Sequence, residues 1–468
     1  MTTLTTVAGF MGLYFAAYMP PFSYFGLFTA IGVLIAWIYS LLFLPAAMAI
    51  VKPRVSARFV RAWKQQKPDV FARLVGRMGR YTQRHARATV LVAALLAAIG
   101  IYSASQLRVD EDRIETFDSG ERIYLADKVI NRYLDGTNNL DIVIETPQAE
   151  DLFEPENLAK MEALQEYAET LPHVMGSTSI VDYLKQMNRS LNEGRADAYR
   201  LPASKELAAQ YFLLYSASSE PTDFEEEVDY DYQMANIRVT LNSGSYVDTK
   251  VVVEALQDYL YSYFNSPSIK ATLSGRVNVS YHWIRDLGAS HFAGLGIALL
   301  LVWMVSSLLF RSSVAGLYSL IPVAGAVLLV YATMVALDIH LGIGTSMFAS
   351  VAIGLGVDFA IHTIERLRVL YREHRGNLSR AMDELYLTTG RALLFNFMAI
   401  AGGFGVLISS KVVPLNNFGL IVVLSVTTSF FASMTLLPAL VKVFRPGFME
   451  PAAQARQGGF RRAVSTMA

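Results

Sequence analysis

Long apolar runs separated by polar stretches dominate the pattern of this chain. A membrane-spanning helix needs roughly 17–25 predominantly apolar residues. Runs that approach or exceed this length are Met1–Tyr18, Phe22–Val51, Thr89–Ser105, Phe292–Phe310, Val314–Leu337, Leu341–Ile364, Ala392–Ser409 and Leu415–Val443. The pattern predicts a polytopic α-helical membrane protein with about 8 transmembrane helices.

The stretch 106–287 has a different pattern, without a run of spanning length. Residues 139–146 and 235–241 alternate apolar and polar side chains, which is typical of half-buried strands. Residues 155–171 and 247–264 have helical spacing, and Pro155 stands near the start of the first. This stretch is therefore predicted to be an α+β domain.

Composition supports a membrane protein, with 53% apolar and only 17% charged residues. There is no cysteine, which excludes disulfides, thiolate metal sites and cysteine catalysis. No phosphate-binding glycine loop and no metal-ligand spacing stand out. We therefore expect no ATP-driven pump, no enzyme, no cofactor, no metal and no nucleic-acid partner.

The loop between Val51 and Ala88 is strongly basic, with Asp69 as its one acid. Cytoplasmic loops carry an excess of Lys and Arg. The loop is therefore predicted to be cytoplasmic, which places 106–287 on the periplasmic or extracellular side. Its basic residues are Lys52, Arg54, Arg58, Arg61, Lys64, Lys67, Arg73, Arg77, Arg80, Arg84 and Arg87.

One acid, Asp358, interrupts the run Leu341–Ile364. A charge at mid-membrane costs about 2.5 kcal/mol or more, so such residues usually serve an ion or substrate path. His362 and Glu365 follow on the same helical face, which runs toward Arg366 and Arg368. Two alternatives remain: Asp358 pairs structurally with a neighbouring helix, and His362 simply faces the headgroup region.

An internal repeat relates the two ends of the chain. Shifting the first fifty residues by 393 positions places Ala8-Gly9 on Ala401-Gly402, Pro21 on Pro414 and Leu44-Pro45-Ala46 on Leu437-Pro438-Ala439. The first two helices are thus expected to end an earlier copy of a unit whose later copy runs from about Tyr81 to Val443. Most of the earlier copy is absent.

The expected organisation has six parts. They are the last two transmembrane helices of an incomplete first repeat at 1–51, a basic cytoplasmic loop at 52–88, a transmembrane helix opening the second repeat at 89–105, an extracytoplasmic porter-like domain at 106–287, a five-helix transmembrane bundle at 288–445 and a cytoplasmic tail at 446–468.

This plan resembles the resistance-nodulation-division (RND) superfamily of exporters, in which two such units face each other across a pseudo-twofold axis. Gly354-Leu355-Gly356-Val357-Asp358-Phe359 resembles the Gly-Val-Asp-Tyr motif of the MMPL and hopanoid-exporter branches. The resemblance covers nearly the whole chain and corresponds to the C-terminal portion of such proteins. It implies a bacterial inner (plasma) membrane location.

The resemblance also implies that Asp358 takes part in proton relay, with His362 assisting. Phe359 stands where the family usually has tyrosine, so a hydroxyl or amide partner must come from elsewhere. The candidates for relay support are Ser346, Ser350 and Asn396, and Gly354 and Gly356 are expected to allow close helix packing around the relay.

We therefore expect a proton-motive-force-driven exporter, or half of one, for hydrophobic or lipid-like molecules. The expected partners are membrane lipids, the cargo, an upstream polypeptide with the absent helices, and further copies in an oligomer. The alternatives are a lipid- or sterol-sensing receptor-like protein and a truncated, transport-inactive accessory fragment.

Overall fold

The computed structural model describes residues 2–17, 19–51, 70–216 and 226–449. It divides into two compact units, one of 1–108 with 287–468 and one of 109–286. Residues 52–69 of the basic loop and residues 217–225 lie outside the described residues.

The first unit is helical. Its helices are α1 (Thr2–Ala16), α2 (Pro20–Val51), α3 (Val70–Arg84) and α4 (Ala86–Gln106), and its later helices are numbered below from α11. Within the described residues, seven helices are long and apolar enough to cross a membrane. The predicted polytopic fold is confirmed, but the first apolar run forms a helix of only 15 residues.

The second unit is an α+β domain, as the sequence predicts. Its helices of more than one turn are α5 (Arg122–Tyr133), α6 (Pro155–Glu169), α7 (Ile180–Leu191), α8 (Lys205–Ser216), α9 (Tyr246–Tyr259) and α10 (Gly275–Arg285). Its strands are β1 (Asn138–Glu145), β2 (Val174–Thr178), β3 (Met234–Leu241) and β4 (Lys270–Ser274).

These strands form one antiparallel sheet in the order β2-β3-β1-β4. The two predicted strands are β1 and β3, which pair along their whole length at the centre. Leu140, Ile142 and Ile144 of β1 are fully buried, as are Ile237 and Val239 of β3. The alternation of the sequence thus directs one face of the sheet into the core of this unit.

The remaining helices of the first unit are α11 (Leu287–Phe310), α12 (Ser313–Ala336), α13 (Ile343–Ser346), α14 (Phe348–Glu373), α15 (Leu378–Leu387), α16 (Thr389–Gly405), α17 (Val413–Met434) and α18 (Leu436–Phe444). The predicted span Leu341–Ile364 is interrupted at Met347 and continues to Glu373. The predicted span Leu415–Val443 is interrupted at Thr435. Pro438 explains this second break, because its ring would clash with the Met434 carbonyl of a continuous helix.

The α14 helix is the most enclosed element of the first unit. It packs against α1, α11, α12 and α17, and most of its residues from Phe348 to Ile364 are buried. A helix buried on nearly all sides is apolar all round, which explains why its one membrane-embedded acid stands out in the sequence.

Candidate functional site

Asp358 lies in the middle of α14 and is half-buried. The Thr6 hydroxyl of α1 donates to its carboxylate, with Oγ1 at 3.3 Å from both Oδ1 and Oδ2. The Thr5 side chain also hydrogen-bonds this carboxylate. Within the described part of the chain, no lysine, arginine or histidine forms an ion pair with Asp358.

The hydroxyl pair Thr5–Thr6 is the part of the site that the sequence analysis missed. Both threonines are buried, with exposed fractions of 0% and 5%. Their partner is 352 residues away from Thr6 in sequence, so spacing gives no indication of the contact. The available signal was two adjacent hydroxyls in an apolar run, just before the Gly9 that the repeat marks.

Two glycines bring α1 against α14 at this point. A Cβ on Gly9 would lie 2.9 Å from the Cα of Gly354, which leaves no room for a side chain between the two backbones. Gly356 serves another neighbour, since a Cβ there would lie 2.5 Å from the Ser429 hydroxyl of α17. Small residues therefore permit close helix contact on two sides of the motif.

Among the described contacts, no hydrogen bond or ion pair joins Asp358 to the other predicted relay residues. Ser346 and Ser350 are buried earlier along the chain, and the Ser346 hydroxyl donates to the Ile343 carbonyl at 3.1 Å. His362 is exposed one turn beyond Asp358, and Asn396 is exposed on α16.

The arginines at the end of the predicted polar face of α14 contact different helices. Arg366 Nη2 lies 3.7 Å from Glu384 Oε1 on α15, and Arg368 donates to the Phe310 carbonyl of α11. These two arginines join α14 to other helices in different directions. They do not extend a single polar path from Asp358.

A second polar group, His291 of α11, is buried in the same unit. Its Nδ1 lies 2.8 Å from the Ser346 carbonyl and its Nε2 lies 2.8 Å from the Tyr331 hydroxyl of α12. The Ser346 carbonyl belongs to the turn that precedes α14, so this network ties the start of the Asp358 helix to two neighbours. It was not predicted from the sequence.

The Asp358–Thr6 pair can accommodate both protonation states of the acid. A threonine hydroxyl can donate to an ionised carboxylate and can accept from a protonated one. A buried polar group without a hydrogen-bond partner is costly. Here the Thr6 hydroxyl can form a hydrogen bond with Asp358 whether the acid is ionised or protonated. The arrangement suits a group that takes up and releases a proton inside a membrane.

Comparison with known proteins identifies the class. Residues 140–467 match the model of the MMPL family, and the chain belongs to this family of membrane transporters. It is a multi-pass membrane protein with the RND-type architecture that the sequence predicted.

Individual relatives agree with this assignment. A membrane protein of Methanocaldococcus jannaschii is 22% identical over 293 residues, which cover 60% of this chain and 70% of the relative. A membrane protein of Streptomyces coelicolor is 28% identical over 171 residues, covering 36% of this chain and 24% of the relative.

A solved structure shares the fold. The cryo-EM structure of the hedgehog release protein Disp from the water bear Hypsibius dujardini matches with a TM-score of 0.57 and 14% identity. The match covers 95% of this chain and 58% of the Disp chain. The chain thus spans little more than half the length of that structural relative.

Proposed function

We propose that the protein is a proton-driven exporter of hydrophobic or lipid-like molecules, or the half of one that contains a proton-carrying site. Asp358 is the proton carrier, and Thr5 and Thr6 are its hydrogen-bonding partners. The protein acts in the plasma membrane of a bacterium, and the 109–286 unit faces away from the cytoplasm.

The hydrogen bonding of Asp358 supports this proposal most directly. An aspartate that served only to hold helices together would be expected to pair with a cation, whereas the described contacts of Asp358 are to hydroxyls. Moving one charge through the membrane potential is worth about 2.3 kcal/mol per 100 mV. Proton entry and release at Asp358 could supply this energy to a conformational change.

We further propose that α16 binds a helix from an earlier copy of the unit, supplied by a longer protein or by another polypeptide. By the repeat, Gly402 of α16 corresponds to Gly9 of α1. Gly9 is packed against α14, whereas a Cβ on Gly402 would meet open space among the described atoms. Asn396 is also exposed on α16, and we assign it to a contact of this helix rather than to Asp358.

Replacing Asp358 by asparagine tests the proton-carrying role. Asparagine keeps the size of the acid and much of its hydrogen bonding but cannot cycle a proton. We expect Asp358→Asn to abolish proton-driven efflux of a fluorescent lipid or hydrophobic dye from inverted membrane vesicles, with protein abundance on a blot nearly unchanged. The vesicles come from cells that carry the gene at its natural locus, so that any partner is present.

Asp338→Asn is the matched control, because Asp338 is 87% exposed in the same unit and, among the described residues, forms an ion pair only with His340. It should retain wild-type efflux. Wild-type efflux in Asp358→Asn would contradict the proton-carrying role. Lipid binding without flux in the wild-type protein would favour a sensor, and neither binding nor flux would favour an inactive accessory fragment.

The proposed orientation of the protein in the membrane can be tested separately. The chain has no cysteine, so single cysteines at Glu150 in the 109–286 unit and at Arg375 after α14 report their location without background. Both positions are exposed. We expect an impermeant thiol reagent to label Glu150→Cys on intact cells and Arg375→Cys only after lysis; the reverse pattern would invert the orientation.

A further inference from the structure

A long groove lies between α4, α12 and α17, and the ends of α3 and α18 close it on one side. Its volume is about 480 Å³, within the range of sites that hold small ligands. The helices of the first repeat are elsewhere, since α1 packs against α2, α11 and α14. The groove is therefore separate from the Asp358 site.

The helices α4 and α12 are in close contact at one point, and the groove opens beside that point. A Cβ on Gly100 of α4 would lie 2.6 Å from Leu328 of α12, so the two helices are in tight contact there. Gly325 lies almost one turn earlier on α12 and lines the groove. A Cβ on Gly325 would meet nothing within 4 Å, so the missing side chain leaves open space.

The groove wall is chemically suited to hydrocarbon. Leu96, Leu329 and Phe431 line it. Four of its five threonines satisfy their hydroxyls within their own helices, because Thr82, Thr89, Thr427 and Thr435 each donate to the carbonyl four residues earlier. These hydroxyls need no polar ligand, and the lining is predominantly aliphatic and aromatic.

One end of the groove is polar, and two arginines adjoin its lining residues in the sequence. Tyr81 and His85 line this end, with their rings 4.9 Å apart. Arg84 and Arg87 flank His85 and are exposed, and neither forms an ion pair with any residue that the structure describes. The nearby acid Asp383 accepts from Gln83.

This end also lies at the membrane surface. The 21 residues of α4 are about 30 Å long at 1.5 Å per residue, which matches the hydrocarbon thickness of a bilayer. Arg84 and Arg87 at its start therefore lie at headgroup level. The groove runs from that level into the hydrocarbon, with the end at Tyr81 and His85 toward the phosphates.

We propose that this groove binds one acyl chain of an anionic phospholipid from the surrounding membrane, with its phosphate held by Arg84 and Arg87. A molecule with a hydrocarbon tail and an anionic head complements both ends of the site. Because Arg84 and Arg87 form no ion pair with any described residue, a head with net negative charge complements them better than a zwitterionic head does. The proposal does not depend on transport activity.

Photo-crosslinking in nanodiscs tests the site. The full-length protein is reconstituted with a diazirine-tailed phosphatidylglycerol or with phosphatidylethanolamine of the same tails, and labelled peptides are mapped by mass spectrometry. We expect labelling on α4 near Leu96 and on α17 near Phe431, stronger with phosphatidylglycerol. Equal labelling by the two lipids, or no labelling of these segments, would overturn the proposal.

Two pairs of variants test the binding of the acyl chain and the binding of the phosphate separately. Gly325→Leu should fill the groove and remove the label, whereas Gly296→Leu, at a glycine of α11 where a Cβ also meets no described atom within 4 Å, should keep it. Arg84→Gln should reduce the preference for phosphatidylglycerol about fivefold, whereas Arg73→Gln, an exposed arginine three turns earlier on α3, should not. Unchanged labelling in Gly325→Leu, or an unchanged preference in Arg84→Gln, would overturn the assignment. Should Gly325→Leu fail to fold, the comparison of lipids on the wild-type protein and on Arg84→Gln still decides.

Discussion

Two helices related by the internal repeat, α1 and α16, have the same small-residue pattern but different surroundings. Gly9 of α1 is packed against the backbone of α14, whereas a Cβ on Gly402 of α16 would have no described atom within 4 Å. Phe395 and Met398 nearby on α16 are 43% and 48% exposed. The same pattern thus supports a helix contact in one copy and presents an uncovered surface in the other.

The two helices also differ in chemistry. Thr5 and Thr6 of α1, which hydrogen-bond Asp358, correspond to Met398 and Ala399 of α16. A helix packed on α16 would therefore find no hydroxyls at the equivalent positions. The comparison indicates that the repeat preserves the means of close packing, whereas the hydrogen-bonding partners of a proton-carrying acid are specific to one copy.

The largest difference should appear when the two glycines are enlarged. Gly9→Leu forces a side chain into the α14 backbone and should cost about 1–3 kcal/mol of stability. Gly402→Leu places the same side chain in open space and should change stability by less than about 0.5 kcal/mol. Thermal unfolding of the two variants in detergent measures this; equal losses would show that the α1–α14 contact is not special.

The Gly402→Leu variant also tests the proposal that α16 binds a partner helix. In the native membrane, where any partner is present, we expect Gly402→Leu to disrupt an assembly that size-exclusion chromatography resolves for the wild-type protein. An unaltered assembly would contradict a helix contact at this surface.

A smaller effect is expected when the hydroxyl partner of Asp358 is removed. Thr6→Val keeps the shape of the side chain and removes a hydrogen bond to the acid, at a cost of about 1 kcal/mol. Proton-driven efflux should fall and its pH dependence should shift, because the hydroxyl binds the ionised carboxylate more strongly than the protonated acid. Thr6→Ser retains the hydroxyl and should preserve the pH profile; a wild-type profile in Thr6→Val would remove Thr6 from the site.

The smallest effect is expected at His362, which lies one turn beyond Asp358 and is exposed. His362→Gln should slow efflux mildly or shift its pH dependence, because an imidazole titrates near neutral pH and can assist transfer without being essential. Complete loss of efflux with normal abundance would show that the proton path includes His362 as an obligatory member.

Hydropathy was sufficient to predict the helical fold, because a bilayer leaves few structures other than a spanning helix. The pattern overestimated the first run, whose helix ends at Ala16, and missed the interruptions at Met347 and Thr435. Periodicity found β1 and β3, which alternate over eight residues each, but not β2 and β4, which have five each.

Of the residues in the candidate site, only Asp358 was predictable from the sequence. Asp358 stands out because charge is costly in a membrane, but a threonine hydroxyl costs little and leaves no comparable signal. The contact of Thr6 with Asp358 and the contact of His291 with Tyr331 depend on how separate helices pack. A single sequence contains no direct record of such packing.

The most direct measurement asks whether cargo movement carries protons through Asp358. In proteoliposomes of the native assembly, loaded with a pH-sensitive dye and no imposed pH gradient, a cargo gradient should drive proton movement in the opposite direction. Coupling between two ligands is reciprocal, so this follows if the proton gradient drives export. We expect this proton flux in the wild-type protein and in Asp338→Asn, and none in Asp358→Asn. Proton flux of wild-type size in Asp358→Asn would contradict it.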